Sequence, residues 1–140
     1  MERNLEFKFN SYPLITNLDC WLNLSLINLI LINSNNFFKV SGKSLIDAKS
    51  FEDVIEFGKR LGKLLIITRG EKGSIAIKEQ EIIECQSKSN LKIVDLTGAG
   101  DLFAAGFLHG LINNYSTKEC LEKGTEMSSK IIQKVGARLD

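Results

Sequence analysis

Apolar and polar positions between residues 50 and 68 follow first a helical and then a strand pattern. Apolar side chains at positions 51, 54, 55, 57 and 61 form one stripe, which predicts an amphipathic helix. Ser50 is placed to cap the first turn of this helix, and Gly62 is placed to end it. The apolar run Leu64–Thr68 that follows predicts a buried parallel strand.

The pattern after residue 73 continues with short strands. Ser74–Lys78 and Glu81–Glu84 are predicted to pair as a hairpin that turns at Glu79 and Gln80. Leu91–Asp95 is predicted to form another short strand, because apolar residues dominate it.

Two helices are predicted in the last third of the chain. The first, Gly98–Asn113, is rich in small residues, and its segment Leu102–Ile112 is apolar nearly all round, so we expect it to be buried. The second, Thr117–Val135, is amphipathic. Strands that alternate with helices favour a three-layer α/β arrangement with a hairpin insert.

The first forty residues have a different composition. All 11 glycines lie at Gly42 or later, and no glutamate occurs from residue 7 to residue 51. The apolar run Cys20–Ile32 contains Asn23, Ser25 and Asn28 and is shorter than the ~20 residues of a membrane-spanning helix. It is therefore expected to be a buried strand or helix, and no membrane contact is predicted.

Composition and charge narrow the class of protein. The chain has 140 residues, enough for one domain, with 18 Lys and Arg against 17 Asp and Glu. This balance argues against nucleic-acid binding, which needs a surplus of positive charge. Three scattered cysteines indicate reduced thiols, and with no signal peptide at the start they predict a cytoplasmic protein. The single histidine, His109, is expected to be a packing or surface residue.

The segment 95–108 carries the clearest chemical signal. Its sequence predicts a strand, a tight turn at Gly98, Ala99 and Gly100, and then a helix. Backbone N–H groups at such a turn lack partners inside the helix and create an anion site. Asp101, in the first helical turn beside it, is placed to accept the proton of a hydroxyl that attacks a phosphoryl group. A plain tight turn with an acidic residue that suits the helix dipole is the alternative.

A second candidate site lies at Thr68–Gly73, after the predicted parallel strand. Ligands of α/β proteins bind at the carboxyl ends of strands, where this glycine-containing turn is located. A simple connection between two strands is the alternative, and Arg69 and Lys72 are expected to be solvated there.

These two segments together resemble the ribokinase-like carbohydrate and nucleoside kinases of the PfkB family. Asp95-Leu-Thr-Gly-Ala-Gly-Asp101 is similar to the family's signature, and Thr68-x-Gly70-x-x-Gly73 looks like its nucleotide-binding turn. The resemblance covers residues 44–140 clearly and residues 20–43 weakly, and leaves residues 1–19 unassigned. It implies a partial three-layer ribokinase-like sheet with flanking helices, as the C-terminal portion of such a kinase.

The resemblance also implies roles for single residues. By this resemblance, Asp101 is expected to be the catalytic base, and the anion hole is expected to be formed by Gly98, Ala99 and Gly100. The ATP-site residues it implies are Thr68, Gly70, Gly73 and, beside the adenine, Thr125. The resemblance implies that the substrate is a sugar or nucleoside that is phosphorylated on a hydroxyl group, and that the cofactors are ATP and Mg²⁺.

The chain departs from the family pattern in two ways. The segment Asn33-Ser-Asn-Asn36 stands where the resemblance expects Asn-x-x-Glu, so the carboxylate that organises magnesium is replaced by an amide, and no metal ligand is assigned. The family's substrate-binding half lies N-terminal to everything matched here. We therefore expect a truncated piece with weak or no activity, which self-associates or pairs with a missing N-terminal half.

Three other functions are weighed against the kinase. The dinucleotide-binding fingerprint fails because Phe103 occupies the place of its third small residue, and the P-loop pattern at Val40–Ser44 fails because Phe37 replaces its first glycine. A non-catalytic nucleotide-binding remnant or a piece of a split protein stays open.

Overall fold

The computed structural model describes residues 22–24, 29–33 and 50–138. The described strands form one sheet in the order β1-β2-β3-β4-β5. In chain order the elements are β1 (Leu22–Leu24), β2 (Leu29–Asn33), α1 (Phe51–Arg60), β3 (Leu64–Thr68), a 3₁₀ turn (Gly70–Lys72), β4 (Ser74–Lys78), β5 (Glu81–Cys85), α2 (Ala99–Ile112) and α3 (Thr117–Ile131).

Helix α1 begins and ends at the residues that its sequence predicts. The Ser50 hydroxyl accepts a hydrogen bond from the amide of Asp53, and the Asp53 carboxylate accepts one from the amide of Ser50. This reciprocal pair satisfies two amides at the start of the helix. Gly62 follows the last turn with φ +66°, the left-handed conformation that glycine adopts without strain.

The sheet combines parallel and antiparallel pairs. β2 and β3 are parallel, which confirms the predicted parallel strand at Leu64–Thr68. β4 and β5 form the predicted hairpin, and β5 extends one residue further than predicted, to Cys85. The apolar run that begins at Cys20 supplies β1 and β2, two antiparallel strands and not one element.

Alternating side chains of the sheet enter two separate cores. On one face Leu65 and Ile67 pack with Val54 of α1. On the other face Ile66 packs with Phe107 of α2 and with α3. This places α1, the sheet and the α2–α3 pair in three layers and confirms the predicted arrangement with its hairpin insert.

The strand predicted at Leu91–Asp95 is wrong. The segment belongs to no strand, and the amides of Val94 and Asp95 both donate to the carbonyl of Ile132, at 2.8 and 3.2 Å. A β-type sequence becomes a strand only where another strand lies beside it, and in the described part of the chain none lies beside this one.

Two expectations about the helices are also corrected. Helix α3 ends at Ile131, four residues before the predicted Val135. Helix α2 is one residue shorter at each end than predicted, with Gly98 and Asn113 as its caps, and it is buried on one side only, because Ala105, His109 and Ile112 are exposed. Its composition is apolar all round, but only the face toward α3 and the sheet finds neighbours.

Several predictions fall on residues outside the described ranges. These include the residues 1–19, most of the segment Asn33–Asn36 and the sequence Val40–Ser44. In the ranges that are described, no helix is long and apolar enough to cross a membrane. No group of three or more His, Cys, Asp or Glu residues that could hold a metal ion occurs in those ranges either.

Candidate functional site

The turn before α2 is built around the carboxylate of Asp95. One carboxylate oxygen of Asp95 accepts hydrogen bonds from the amide of Thr97 at 2.9 Å and from its hydroxyl at 2.7 Å. The other oxygen accepts one from the amide of Gly136, at 2.9 Å. Asp95 therefore fixes the local turn and joins it to the chain after α3.

The same hydrogen bonds favour the ionised form of Asp95. The Thr97 hydroxyl, followed by the amides of Thr97 and Gly136, holds the pKa of Asp95 below its usual value of 3.8.

We expect the substitution Asp95→Asn to lower the melting temperature at neutral pH, because the amide group of Asn has one acceptor oxygen where the carboxylate has two. The ionised carboxylate stabilises the folded chain above the unfolded pKa of about 3.8, and this contribution is lost as the pH falls through the lower folded value. The difference between wild type and variant should therefore be constant above about pH 5 and shrink below pH 4. Thermal unfolding followed by circular dichroism at several pH values measures it, with Glu122→Gln, an exposed change on α3, as control. A difference that persists unchanged to pH 3 would contradict this role.

Gly98 makes the tight turn that starts α2. Its φ of +78° is left-handed, and a Cβ at this position would lie 2.8 Å from the Cβ of Ala137, so both the backbone and the space require glycine. The carbonyl of Gly98 accepts the amide of Leu102 at 2.9 Å, while the amide of Ala99 donates to the carbonyl of Leu96 at 3.2 Å. The amide of Ala99 is thus already engaged inside the turn.

The Gly100 side of the turn is open. A Cβ at Gly100 would meet no atom within 4 Å. Its amide belongs to the first turn of a 14-residue helix, where amides have no acceptor within the helix and the helix dipole attracts anions. Asp101, which is partly buried, is the acidic residue of that same first turn. An anion that approaches Gly100 therefore arrives beside a carboxylate.

The turn between β3 and β4 is held by glycines at both ends. Thr68 is the last residue of β3, where it pairs with Asn33 of β2 and with Ser74 of β4. Gly70 has φ +58° and open space around it. Gly73 has φ +79°, its carbonyl accepts the amide of Arg69 at 2.7 Å, and a Cβ there would lie 2.1 Å from the carbonyl oxygen of Cys85. This glycine therefore lets the turn pack directly on the end of β5.

The sequence predicts that Arg69 and Lys72 are both solvated. This is wrong for Arg69, which is partly buried, whereas Lys72 is exposed as predicted. The Arg69 side chain is only 16% exposed, donates to the carboxylate of Glu84 at 3.2 Å, and lies 5.5 Å from the centre of the Phe51 ring. It thus ties the turn to β5 and to the start of α1. These partners are distant in sequence, so no local pattern indicates them.

Thr125 faces the interior. Its hydroxyl lies 3.5 Å from the sulfur of Cys85, and its carbonyl accepts the hydroxyl of Ser129 at 2.6 Å. Cys85 therefore contacts Gly73 on one side and Thr125 on the other. The structure brings the turn Thr68–Gly73 and Thr125 together through this residue.

The two candidate turns are connected through α3. Thr125, in the middle of this helix, reaches the end of β5, and the chain after the helix reaches Asp95 and Gly98. An open cleft of about 490 Å³ lies elsewhere, on the outer side of α3, and is lined by Lys88, Tyr115, Glu119, Glu122, Lys123 and Glu126. It contains none of the predicted site residues.

Comparison with known proteins identifies the family to which the chain is similar. The family model described as pfkB family carbohydrate kinase matches residues 11–140. The ATP-dependent 6-phosphofructokinase of Thermoanaerobacterium thermosaccharolyticum is 41% identical over 78 residues, which cover 56% of this chain and 24% of that enzyme.

Two solved structures share the fold. The adenosine kinase of Sinorhizobium meliloti has a TM-score of 0.72 at 28% identity, with 82% of this chain and 35% of that chain covered. The ribokinase of Arabidopsis thaliana, complexed with ribose and ATP, has a TM-score of 0.65 at 26% identity, with 78% of this chain and 36% of that chain covered.

The chain thus spans about a quarter of the length of that phosphofructokinase and about a third of the length of the two solved kinases. Within this span the resemblance to ribokinase-like proteins and the predicted fold are confirmed. The chain belongs to the pfkB family of carbohydrate kinases.

Proposed function

We propose that this chain carries the ATP-binding and proton-accepting part of a kinase that phosphorylates a hydroxyl group of a sugar or nucleoside. The observation that supports this most directly is the open turn at Gly100 with Asp101 beside it, at the start of α2. The names of the similar proteins agree with this chemistry, because they include an ATP-dependent phosphofructokinase, an adenosine kinase and a ribokinase with bound ribose and ATP.

Asp101 serves as the base in this proposal. As the substrate oxygen forms a bond to the γ-phosphorus of ATP, the bond from that phosphorus to the departing ADP oxygen breaks, and Asp101 accepts the hydroxyl proton. The turn at Gly98, Ala99 and Gly100 stabilises the charge on the transferred oxygens. The Gly100 side of the turn leaves room for these oxygens, because a Cβ there meets no atom within 4 Å, whereas the amide of Ala99 already donates to Leu96.

The turn Thr68–Gly73 is proposed to hold the nucleotide. Thr68 and Gly70 lie at the carboxyl end of β3, and Gly70 has open space around it. Gly73 and Thr125 both contact Cys85, at the end of β5, and through this residue they stabilise the shape of the turn. Mg²⁺ would accompany ATP, but Asn36 carries no charge where the resemblance expects a glutamate. No residue is therefore assigned to the metal, and no step depends on it.

We also propose that the 140-residue polypeptide alone has weak or no turnover. Phosphoryl transfer depends on positioning both substrates. The matched region is about a third of a complete kinase, and no described residue is assigned to a sugar or nucleoside pocket. A non-catalytic nucleotide-binding module is the second candidate, because the same turns bind ATP without an acceptor site.

Calorimetry with ATP on the 140-residue chain tests the nucleotide site. We expect Gly100→Asp to weaken ATP binding at least about tenfold, because the new carboxylate faces the phosphates while its Cβ meets no neighbour. Gln80→Glu is the control, since it also adds one carboxylate, at an exposed position in the β4–β5 turn, at the end of the hairpin far from Gly73. Equal affinities for the two variants, or no ATP binding by the wild-type chain, would contradict the proposal.

Turnover of ribose, fructose and adenosine by the same chain separates the two candidates. Turnover at ordinary kinase rates would overturn the proposed weak activity. ATP binding with no turnover on any acceptor agrees with either candidate, and turnover by a chimera with the Thermoanaerobacterium 6-phosphofructokinase, which supplies the rest of a complete kinase, then distinguishes them.

A further inference from the structure

Two buried side-chain atoms in the described part of the chain have no hydrogen-bond partner, and both lie next to the turn between β3 and β4. They are Nε of Arg69, directly after Thr68, and Oγ of Ser74, directly after Gly73. Ser74 is the more completely enclosed of the two, since it is only 1% exposed. Buried polar groups in proteins are nearly always paired, so an unpaired hydroxyl beside a candidate site has a specific cause.

The strand register places the Ser74 hydroxyl beside Thr68. Ser74 is opposite Thr68 in the pairing of β4 with β3, and the amide of Arg69 donates to the carbonyl of Gly73 at 2.7 Å. This bond makes Thr68 and Ser74 a non-hydrogen-bonded pair of the antiparallel ladder, in which side chains approach each other most closely. Threonine and serine side chains in cross-strand pairs can hydrogen-bond to each other. Thr68 is therefore the nearest candidate partner for the unpaired hydroxyl.

Ser74 lies on the face of the sheet that α2 and α3 cover. Ala76, two residues further along β4, belongs to the core on that face, and alternate residues of a strand share a face. Cys85, which is opposite Ser74 on β5, belongs to the same core, and its sulfur lies 3.5 Å from the hydroxyl of Thr125. Ser74 thus lies between Thr68 and Thr125, two residues of the proposed nucleotide site.

The enclosure of Ser74 means that it acts through a neighbour and does not touch a nucleotide itself, whereas Thr68 is partly exposed. A threonine hydroxyl has one proton to donate and two lone pairs that accept. When Thr68 donates its proton to a phosphate oxygen, the Ser74 hydroxyl is placed to donate to the oxygen of Thr68. Hydrogen bonds in such a chain strengthen one another.

We propose that Ser74 is a positioning residue, which holds the Thr68 hydroxyl toward the nucleotide and gains its own missing partner when the nucleotide binds. This role rests on the proposed function of the turn Thr68–Gly73. It also explains why an unpaired hydroxyl is kept at a site where alanine would fit, because a group that costs stability in the free protein is retained where binding needs it.

Ser74→Ala in the full 140-residue chain should change stability and nucleotide binding in opposite directions. An unpaired buried hydroxyl destabilises the fold, so we expect the melting temperature without ATP to rise by at least about 2 °C. We expect the affinity for ATP, measured by calorimetry, to fall about three- to tenfold, because the hydrogen-bond chain to the phosphate is lost. A merely structural role would lower the melting temperature and the affinity together, and that result would overturn the proposal.

Two further variants separate the hydroxyl from the space that it fills. Ser74→Cys keeps the shape of the side chain but has only a weak donor, so it should weaken ATP binding as Ser74→Ala does. Ser129→Ala is the matched control, since it deletes another buried hydroxyl, one that has a partner because it donates to the carbonyl of Thr125 at 2.6 Å. This control should leave the affinity for ATP unchanged.

Thr68→Val tests whether the effect of Ser74 passes through Thr68. Ser74→Ala should weaken ATP binding in the wild-type chain but not in the Thr68→Val chain, because the hydroxyl that Ser74 orients is then absent. Equal losses in the two backgrounds would show that Ser74 does not act on Thr68, and would overturn the proposal.

Gly100→Asp distinguishes a failure of this role from a failure of the proposed function. If the wild-type chain binds ATP and Gly100→Asp weakens binding while Ser74→Ala does not, the nucleotide site stands and the role of Ser74 is overturned. If the wild-type chain does not bind ATP, both are overturned.

Discussion

Replacing Asp101 by Asn is expected to reduce kcat for phosphoryl transfer by about 10²–10⁴-fold in a chimera in which residues 50–138 of this chain replace the corresponding segment of the Thermoanaerobacterium 6-phosphofructokinase. Asn has nearly the same size and the same place in the first turn of α2, but it cannot accept the proton of the attacking hydroxyl. The KM for ATP should change less than about threefold. Steady-state kinetics with ATP and fructose 6-phosphate, the acceptor that the phosphofructokinase's name implies, measures both constants.

The same substitution has an opposite expected effect on nucleotide binding. On the 140-residue chain alone, Asp101→Asn should leave ATP binding as tight as in the wild type or tighter, because it removes a negative charge beside the phosphates. Glu122→Gln is the control, since it removes an exposed carboxylate from α3. A loss of ATP affinity, or equal rate losses in both variants, would show that Asp101 supports the fold and is not the base.

Local signals in the sequence predict most of the described elements. Ser50 and Gly62 mark the two ends of α1, and both predictions are confirmed because caps depend on residues within one turn. The hairpin turn at Glu79 is confirmed for the same reason, and Glu79 has the left-handed φ of +54° that tight turns require. These features need no information about the rest of the fold.

The errors arise where the outcome depends on distant parts of the chain. Residues 91–95 have the composition of a strand, but pairing needs a neighbouring strand, and the amides of Val94 and Asp95 donate to the carbonyl of Ile132 instead. Ile112 is as apolar as the core residues of α2, yet no element of the described chain covers it. Sequence patterns describe what a segment prefers, while burial also depends on which other segments are present.

The candidate site shows the same division. The glycine turn before Asp101 and the glycine turn after Thr68 are predictable, since both depend on short motifs. The bond from Asp95 to Gly136 and the contact of Arg69 with Phe51 are not, because they join residues from different parts of the chain. The geometry of each turn depends on these long-range contacts as much as on its glycines.

Gly73→Ala is expected to be among the most destabilising single substitutions in the described chain, at about 4 kcal/mol. Its backbone has φ +79° and ψ −144°, a region that is essentially restricted to glycine and costs about 1–3 kcal/mol for other residues. The new Cβ would in addition lie 2.1 Å from the carbonyl oxygen of Cys85, and overpacking of this kind costs about 1–3 kcal/mol. Equilibrium urea unfolding measures the change in the free energy of unfolding.

Gly70→Ala, three residues earlier in the same turn, separates backbone strain from the steric clash. Gly70 also has a positive φ, +58°, but a Cβ there meets no atom within 4 Å, so the cost should be about 1–2 kcal/mol. Because domains have stabilities of only about 5–15 kcal/mol, Gly73→Ala should remove a large part of the total, and Gly70→Ala should not. Equal losses in the two variants would mean that the end of β5 moves away from the turn. The contact between Gly73 and Cys85 would then not set the shape of the proposed nucleotide site.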